Sequence, residues 1–414
     1  MKKLIILVMS LVLMASNIDV YLAEENEPID IDSFSIEAEA AVLIDAQSGK
    51  VLYSKNMDEQ LEPASITKIL TAYIGIERLD LSDTVVASDT AIDEVPRYAS
   101  HIAIDYDEEL NVKDLLYAVM LPSANDAANV IAESVSGDLD SFADLMNQYV
   151  DSLGLQNTNF TNSNGLPDDD HYTSAYDMAM ITRMAIQNDV FSQIYSTTSY
   201  TTGVTNKKDE PRVFANGNLL IQNGKYNYEY AVGGKTGYTD EARFTCVTVA
   251  EKDGLTLIGV LLKNSSAEDR YEDMPKLFDY GFSNYAAITY EKENVEKTVL
   301  DFDNQTQTFM LNDNIHILVP ISQKDSMLTH DLEILNETNP VTSQVIMHLS
   351  LNDSEITTIE LDKSIEEKEE VTISVMNIGY DSPNIPLNII NWFSVFLLLG
   401  FVFKFVKSRL SKVN

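Results

Sequence analysis

Apolar positions in residues 63–79 recur mostly three and four apart, at Ile66, Ile69, Leu70, Tyr73, Ile74 and Ile76. That spacing gathers them on one face of a helix. Further helical stretches fit 111–121, 124–135, 138–153, 174–188 and 268–280. Two short apolar runs, 41–45 and 51–54, flank Ala46-Gln47-Ser48-Gly49-Lys50, which predicts a hairpin with glycine in its turn. Strands fit 229–232, 242–250 and 255–263, with Asp253-Gly254 turning between the last two. One strand pair therefore comes first, a helical block follows, and strands return before a last helix. The early and late strands can join one antiparallel sheet covered by helices, an α+β layout. From 286 to 380 the helical period disappears. Short alternating runs such as Asn314-Ile315-His316-Ile317-Leu318-Val319-Pro320 replace it, and they predict a small separate all-β domain. No internal repeat or low-complexity block is evident.

The two ends break this pattern. Met1-Lys2-Lys3 precedes an apolar run over 4–15, which reads as a signal peptide over 1–23, cleaved after Ser16 or after Ala23. An uncleaved N-terminal anchor is the alternative. Residues 24–35 are acidic and contain Pro28, a lead-in to the body. Near the other end, 381–386 reads as a linker through Pro383 and Pro386, and 387–406 is almost wholly apolar. A helix of that length rises about 30 Å, enough for a hydrocarbon core. Trp392 suits the outer interface, and Lys404, Lys407, Arg409 and Lys412 suit a cytoplasmic tail over 407–414. The alternative is an amphipathic helix lying on the membrane surface. Both ends place the body outside the cytoplasmic membrane of a bacterium.

Composition narrows the partners. Of 414 residues, 45% are hydrophobic and 22% charged, which is globular and not disordered. A formal net charge of -37 excludes nucleic acid as the expected partner, because phosphates need a basic surface. Cys246 is the single cysteine, so no intramolecular disulfide forms, and its alternating surroundings suit a small core residue. The five histidines are scattered and form no i, i+4 pair, so no metal is expected.

Three motifs carry the chemistry: Ser65-Ile66-Thr67-Lys68, then Ser123-Ala124-Asn125, then Lys235-Thr236-Gly237. Ser65 stands at a predicted helix start, where free N–H groups favour developing negative charge. Lys68 lies one turn on, on the same face. A serine hydroxyl needs a base, and a lysine is one only when burial or a second cation lowers its pKa. Lys235 is the natural second cation. Alone, each motif has a plainer meaning: Ser65, Ser123 and Asn125 as helix caps, Lys68 as a solvated lysine. Together and in this order they form the pattern S-x-x-K, S-x-N, K-T-G. With its flanks, from Pro63 to Tyr73 and through Asp126-Ala127-Ala128, the chain resembles the serine-type D-Ala-D-Ala carboxypeptidases of peptidase family S11, the low-molecular-mass penicillin-binding proteins. The resemblance covers roughly 36–285.

The resemblance implies a β-lactamase/transpeptidase-like catalytic domain over 36–285. It implies that Ser65 attacks the D-Ala-D-Ala carbonyl of peptidoglycan stem peptides, with Lys68, Ser123 and Asn125 as the other catalytic residues. The backbone N–H groups of Ser65 and Tyr238 would form the oxyanion hole. Thr236 and Thr239 would bond the terminal carboxylate beside Lys235 and Gly237, and Gly237 would let substrate approach the strand. Arg270 falls where relatives carry a carboxylate-binding arginine, against the alternative of a surface residue paired with its acidic neighbours. It also implies covalent inhibition by β-lactams and no cofactor. Gly217 stands where some relatives have a further arginine, which weakens any two-arginine clamp. The loop from Asn164-Gly165-Leu166-Pro167 to Asp177 resembles the segment flanking the site, with His171 as a bystander. Rival readings share the fold: a β-lactamase, a D,D-endopeptidase or transpeptidase, or an inactive wall-binding homologue. Against the first, residues 126–234 contain no E-x-x-L-N.

Overall fold

Alternating side chains on one sheet divide the core in two. The computed structural model describes residues 29–30, 35–303 and 305–367. Strands β1 (Ala40–Asp45), β2 (Val51–Lys55), β7 (Ala231–Thr239), β8 (Arg243–Lys252) and β9 (Leu255–Asn264) form an antiparallel sheet in the order β2-β1-β9-β8-β7. Val42, Ile44, Val247, Val249, Ile258 and Val260 point to one face and join the larger buried cluster. Ala41, Leu43, Cys246, Ala250, Leu257 and Leu261 point to the other. This is the period-2 pattern of a sheet covered on both faces. Burial of each such Leu, Ile or Val stabilises the fold by about 1.5–3 kcal/mol.

The larger cluster is closed by helices α1 (Lys68–Arg78), α3 (Val112–Met120), α4 (Asn125–Ser136), α5 (Leu139–Ser152), α6 (Ala175–Ala185) and α7 (Asp189–Ser196), with the short α2 (Asp89–Asp93) beside α4. The other face is covered by α8 (Ala267–Asn284), which brings Tyr271, Met274, Leu277 and Phe278 onto the sheet. The β8–β9 turn is Asp253-Gly254, with φ of 50° and 79°, the two-residue hairpin geometry that the sequence predicts.

Two expectations are corrected. The strand expected over 229–232 runs instead as Ala231–Thr239, so Lys235-Thr236-Gly237 lies inside it. The helix expected from 63 begins as a 3-10 turn, Ala64–Thr67, and becomes α-helical only at Lys68. Beyond α8, residues 285–367 carry strands and short 3-10 turns only, including the β10–β13 ladder (Tyr285–Tyr290 with Ile315–Pro320) and the sheet β14-β15-β16 (Leu328–Leu335, Gln344–Leu351, Ser354–Glu360). The chain divides into two units, Met1–Val299 with Thr308–Ser364 and Leu300–Gln307 with Ile365–Asn414, and every motif lies in the first. The signal peptide, most of the lead-in, the linker, the 387–406 span and the 407–414 tail lie outside the described residues. Among the described residues no helix is long and apolar enough to cross a membrane.

Candidate active site

Ser65 sits in the 3-10 turn between β2 and α1, half-buried, with its hydroxyl at a cleft of about 630 Å³. Two features fix the turn. Ala64 just before it has φ of 50°, a left-handed conformation that costs a non-glycine residue about 1 kcal/mol or more. Thr245 of β8 donates its hydroxyl to the Pro63 carbonyl at 2.9 Å, tying the turn to the sheet.

Lys68 is fully buried, not solvated. Its Nζ lies 3.0 Å from Ser65 Oγ, 2.5 Å from Asn125 Oδ1 and 2.5 Å from the Asn164 carbonyl. Burial, then the nearby charge of Lys235, push its pKa well down, against a smaller opposing pull from Asp126. A neutral amine has two hydrogens and one lone pair. Two of its neighbours are carbonyl oxygens that can only accept, so they take both hydrogens. In that neutral form, which the lowered pKa favours, the lone pair is left for the Ser65 hydroxyl to donate to. The contacts thus orient the amine as a proton acceptor.

Ser123 and Asn125 cap nothing with their side chains. Ala124 is the N-cap of α4, and Ser123 has φ of 65°. Lys235 Nζ donates to Ser123 Oγ at 2.9 Å and to the Thr236 carbonyl at 2.8 Å. Burial, reinforced by Arg270, lowers the Lys235 pKa to about 7. Along β7 the chain pairs with β8 residue by residue, Lys235 with Val247, Thr236 with Cys246 and Gly237 with Thr245. Gly237 is required by close approach: a Cβ there would lie 2.8 Å from the Ser65 nitrogen and 2.5 Å from Thr245 Oγ1. Tyr238 and Thr239 continue along the cleft wall, where Thr239 Oγ1 accepts from the Ala242 N–H.

Arg270 is 7% exposed and lines the cleft, so the surface alternative fails. Its Nη1 donates to the carbonyls of Gly237 and Thr245 and its Nη2 to Tyr271 Oη, while its Nε–H has no acceptor among the described residues. The guanidinium stacks on Tyr271, 4.6 Å from the ring centre. Gly217 lies on the same cleft, and its carbonyl accepts from Tyr271 Oη. The structure therefore brings nine of the ten predicted residues to the wall of one cleft, and the tenth, Lys68, lies buried behind it against Ser65. Two cationic side chains, Lys235 and Arg270, line it in a protein of net charge -37. Among the described residues no group of His, Cys, Asp and Glu side chains is placed to hold a metal.

A serine beside a buried lysine whose pKa is pushed down, faced by a second lysine and an arginine, is equipped for acyl transfer to and from a carboxylate-bearing substrate. The family model described as D-alanyl-D-alanine carboxypeptidase, peptidase S11, matches residues 24–266. The chain belongs to this family. Among curated relatives, D-alanyl-D-alanine carboxypeptidase DacF of Bacillus subtilis strain 168 is 34% identical over 306 residues, 73% of this chain and 75% of its own. DacC of Escherichia coli strain K12 is 33% identical over 269 residues, 63% of this chain and 64% of its own. Among solved structures, the Streptomyces K15 DD-transpeptidase is 30% identical with a TM-score of 0.57, covering 60% of this chain and 98% of that one. D-alanyl-D-alanine carboxypeptidase DacD of Francisella tularensis is 25% identical with a TM-score of 0.61, covering 84% and 98%.

Within this D-alanyl-D-alanine carboxypeptidase framework, the motifs alone miss several residues. The Asn164 carbonyl is a backbone group, so no side-chain pattern announces it. Asp126 accepts from the N–H groups of Ile102 and Ile104 and holds the loop whose Tyr98, Ala99 and Ser100 form one cleft rim. Gly165, with φ of 84°, lies so close to the Ala64 carbonyl that a Cβ would be 1.9 Å from it.

His171 is not in the cleft but behind it, buried. Its Nδ1 accepts from the Thr161 N–H at 3.0 Å, so its proton sits on Nε2 and is donated to Thr67 Oγ1 at 2.9 Å. Burial lowers its pKa to about 4. The unfolded chain binds this proton below pH 6.5, and the folded protein does not until about pH 4. Stability contributed by the neutral ring is therefore present above pH 6.5 and lost as pH falls toward 4, on the order of 3 kcal/mol in all. Urea denaturation across this window should show a shallower pH dependence in His171→Gln than in the native sequence. Equal slopes would mean that the ring is already charged in the folded protein.

Proposed function

We infer that the protein is a D-alanyl-D-alanine carboxypeptidase that removes the terminal D-alanine from peptidoglycan stem peptides through an acyl-enzyme on Ser65. The observation that carries the mechanism is the contact set of the Lys68 amine, which leaves its lone pair for the Ser65 hydroxyl. As the hydroxyl attacks the scissile carbonyl, its proton passes to Lys68. The developing oxyanion is held by the N–H groups of Ser65 and Tyr238, which Gly237 brings together. When the carbon–nitrogen bond breaks, Ser123 hands its proton to the departing amine and takes one in its place from Lys235, which donates to it. Asn125 keeps Lys68 in place and bonds the substrate amide. Water then attacks the ester, its proton passing through Ser123 to Lys235 while Lys68 returns its own to Ser65, which releases the shortened peptide and frees the hydroxyl. β-Lactams acylate the same hydroxyl. No step requires a cofactor.

The substrate's terminal carboxylate is assigned to Lys235, Thr236, Thr239 and Arg270. Arg270 lines the cleft, and a guanidinium suits a planar carboxylate. The full chain should release D-alanine from a stem pentapeptide with a free C-terminus far faster than it cleaves the C-terminally amidated peptide. Arg270→Ala should lose turnover of the free acid by about tenfold to a hundredfold, the scale of one charge-assisted bond. It should barely change turnover of the amide. Equal losses on both peptides would assign Arg270 to the architecture of the wall alone, and absence of D-alanine release would remove the carboxypeptidase reading.

We also propose that the enzyme works outside the cytoplasmic membrane, anchored by a span over 387–406 with 407–414 in the cytoplasm. The length of the apolar run, Trp392 at its start and the basic residues after it support this. Alkaline carbonate should leave the full chain in the membrane fraction, and detergent should release it. A cysteine at Ser411, in a Cys246→Ser background, should escape impermeant thiol reagents in intact cells. Labelling there would instead favour a helix lying on the outer surface.

A further inference from the structure

A loop carbonyl keeps its aim only if the loop is held. The carbonyl in question is that of Asn164, which takes one hydrogen of the Lys68 amine. Thr71 of α1, one turn after Lys68, donates its hydroxyl to the Ser163 carbonyl at 2.6 Å. From the other side comes Asn129 of α4, one turn after Asn125 and 2% exposed. Its Oδ1 accepts from Ser163 Oγ at 2.8 Å and from Asn164 Nδ2 at 3.0 Å, and its Nδ2 donates to the Ala91 carbonyl at 3.1 Å. Residues four apart share a helix face. α4 thus reaches Lys68 twice, directly through Asn125 and by way of the loop through Asn129.

We propose that Asn129 is a positioning residue for acylation: by fixing the Asn164 carbonyl it holds one hydrogen of the Lys68 amine and so aims the lone pair at Ser65. This rests on the reading of Lys68 as the base. Without the Asn129 amide, the Ser163 hydroxyl and the Asn164 amide lose a shared acceptor in a buried place, and each must move to find another. The Asn164 carbonyl moves with them. A displacement of about 1 Å between reacting groups costs up to about a hundredfold in rate. Substrate binding would not feel the change, because Asn129 does not line the cleft.

The test uses the full chain, with Asn129→Leu, Asn164→Ala and the double variant. Each single change should slow acylation by a fluorescent penicillin, and kcat on a pentapeptide, by about tenfold to a hundredfold, and Asn129→Leu, which lies off the cleft, should keep KM within about twofold. The double variant should be no worse than the poorer single by more than about twofold, because both changes break one linkage. In a Lys68→Ala background Asn129→Leu should add nothing. A folded Asn129→Leu that acylates within about twofold of the native chain would overturn the proposal. So would a loss confined to KM, or fully multiplicative losses in the double variant. Should Asn129→Leu not fold, Asn164→Ala alone decides by the same rate threshold, since it keeps the backbone carbonyl and removes the side-chain bonds to Asn129 and to the Leu166 N–H. Lys68→Ala alone reports separately on the base: if it acylates normally, the reading beneath this proposal fails, whatever Asn129 does.

Discussion

Ser65→Ala should abolish both D-alanine release and covalent labelling by a fluorescent penicillin. The hydroxyl is the proposed nucleophile in the cleft, 3.0 Å from the buried Lys68 amine, and it stands on a turn whose left-handed Ala64 and Thr245–Pro63 bond fix its direction. Removing it leaves the oxyanion donors, Lys235 and Arg270 in place, so peptide should still bind. The loss therefore falls on kcat, on the order of 10⁶-fold, as when a serine acyl-transfer enzyme loses its nucleophile. Removing one oxygen from a half-exposed position should leave the melting temperature almost unchanged. Labelling at the native rate would show that another group is acylated.

Lys68→Ala should fold and fail to acylate, with a loss of about 10²–10⁴-fold, the range a positioned general base contributes. Two stability effects oppose each other. The buried amine and its desolvation disappear, while Asn125 Oδ1 and the Asn164 carbonyl lose a donor at about 1–3 kcal/mol each. The kinetic result is the decisive one. Acylation within tenfold of the native chain would place the base elsewhere, and Lys235, held 2.9 Å from Ser123, would be the next group to test.

How much of this was legible in the sequence depends on which physical signal each part carries. α1 was legible because its apolar spacing is set by burial against the sheet. The Asp253-Gly254 turn was legible because that pair tolerates two positive φ values. The strand bearing Lys235-Thr236-Gly237 was cut short, since Gly233, Gly234 and Gly237 remove the β-branched signal. Each is glycine because something presses against it: the Tyr195 ring, the Asn218 amide and the Ser65 backbone. The motif residues announced themselves as side chains. The acceptors that orient Lys68 did not, because one is a main-chain carbonyl and its support, Asn129, has the look of an ordinary polar residue in a helix. Arg270 could be read two ways from its acidic neighbours, and only burial under Phe244 and Tyr271 decides between them. The short α2 and α7 fell below the length at which periodicity speaks.

Among the described residues β7 ends the sheet, with β8 on one side and no strand on the other. Such an edge is ordinarily a liability, a row of unpaired backbone groups inviting a second chain. Here its usable length is short. Tyr195 packs against Gly233 at one end, and the turn at Asp240 closes the other. Three of the nine residues of the strand are glycine, which has no side chain to pack across a long pairing. The edge can accept a few residues of extended peptide beside Ser65, main chain against main chain, so a substrate tail would be held by backbone bonds that do not depend on its side chains.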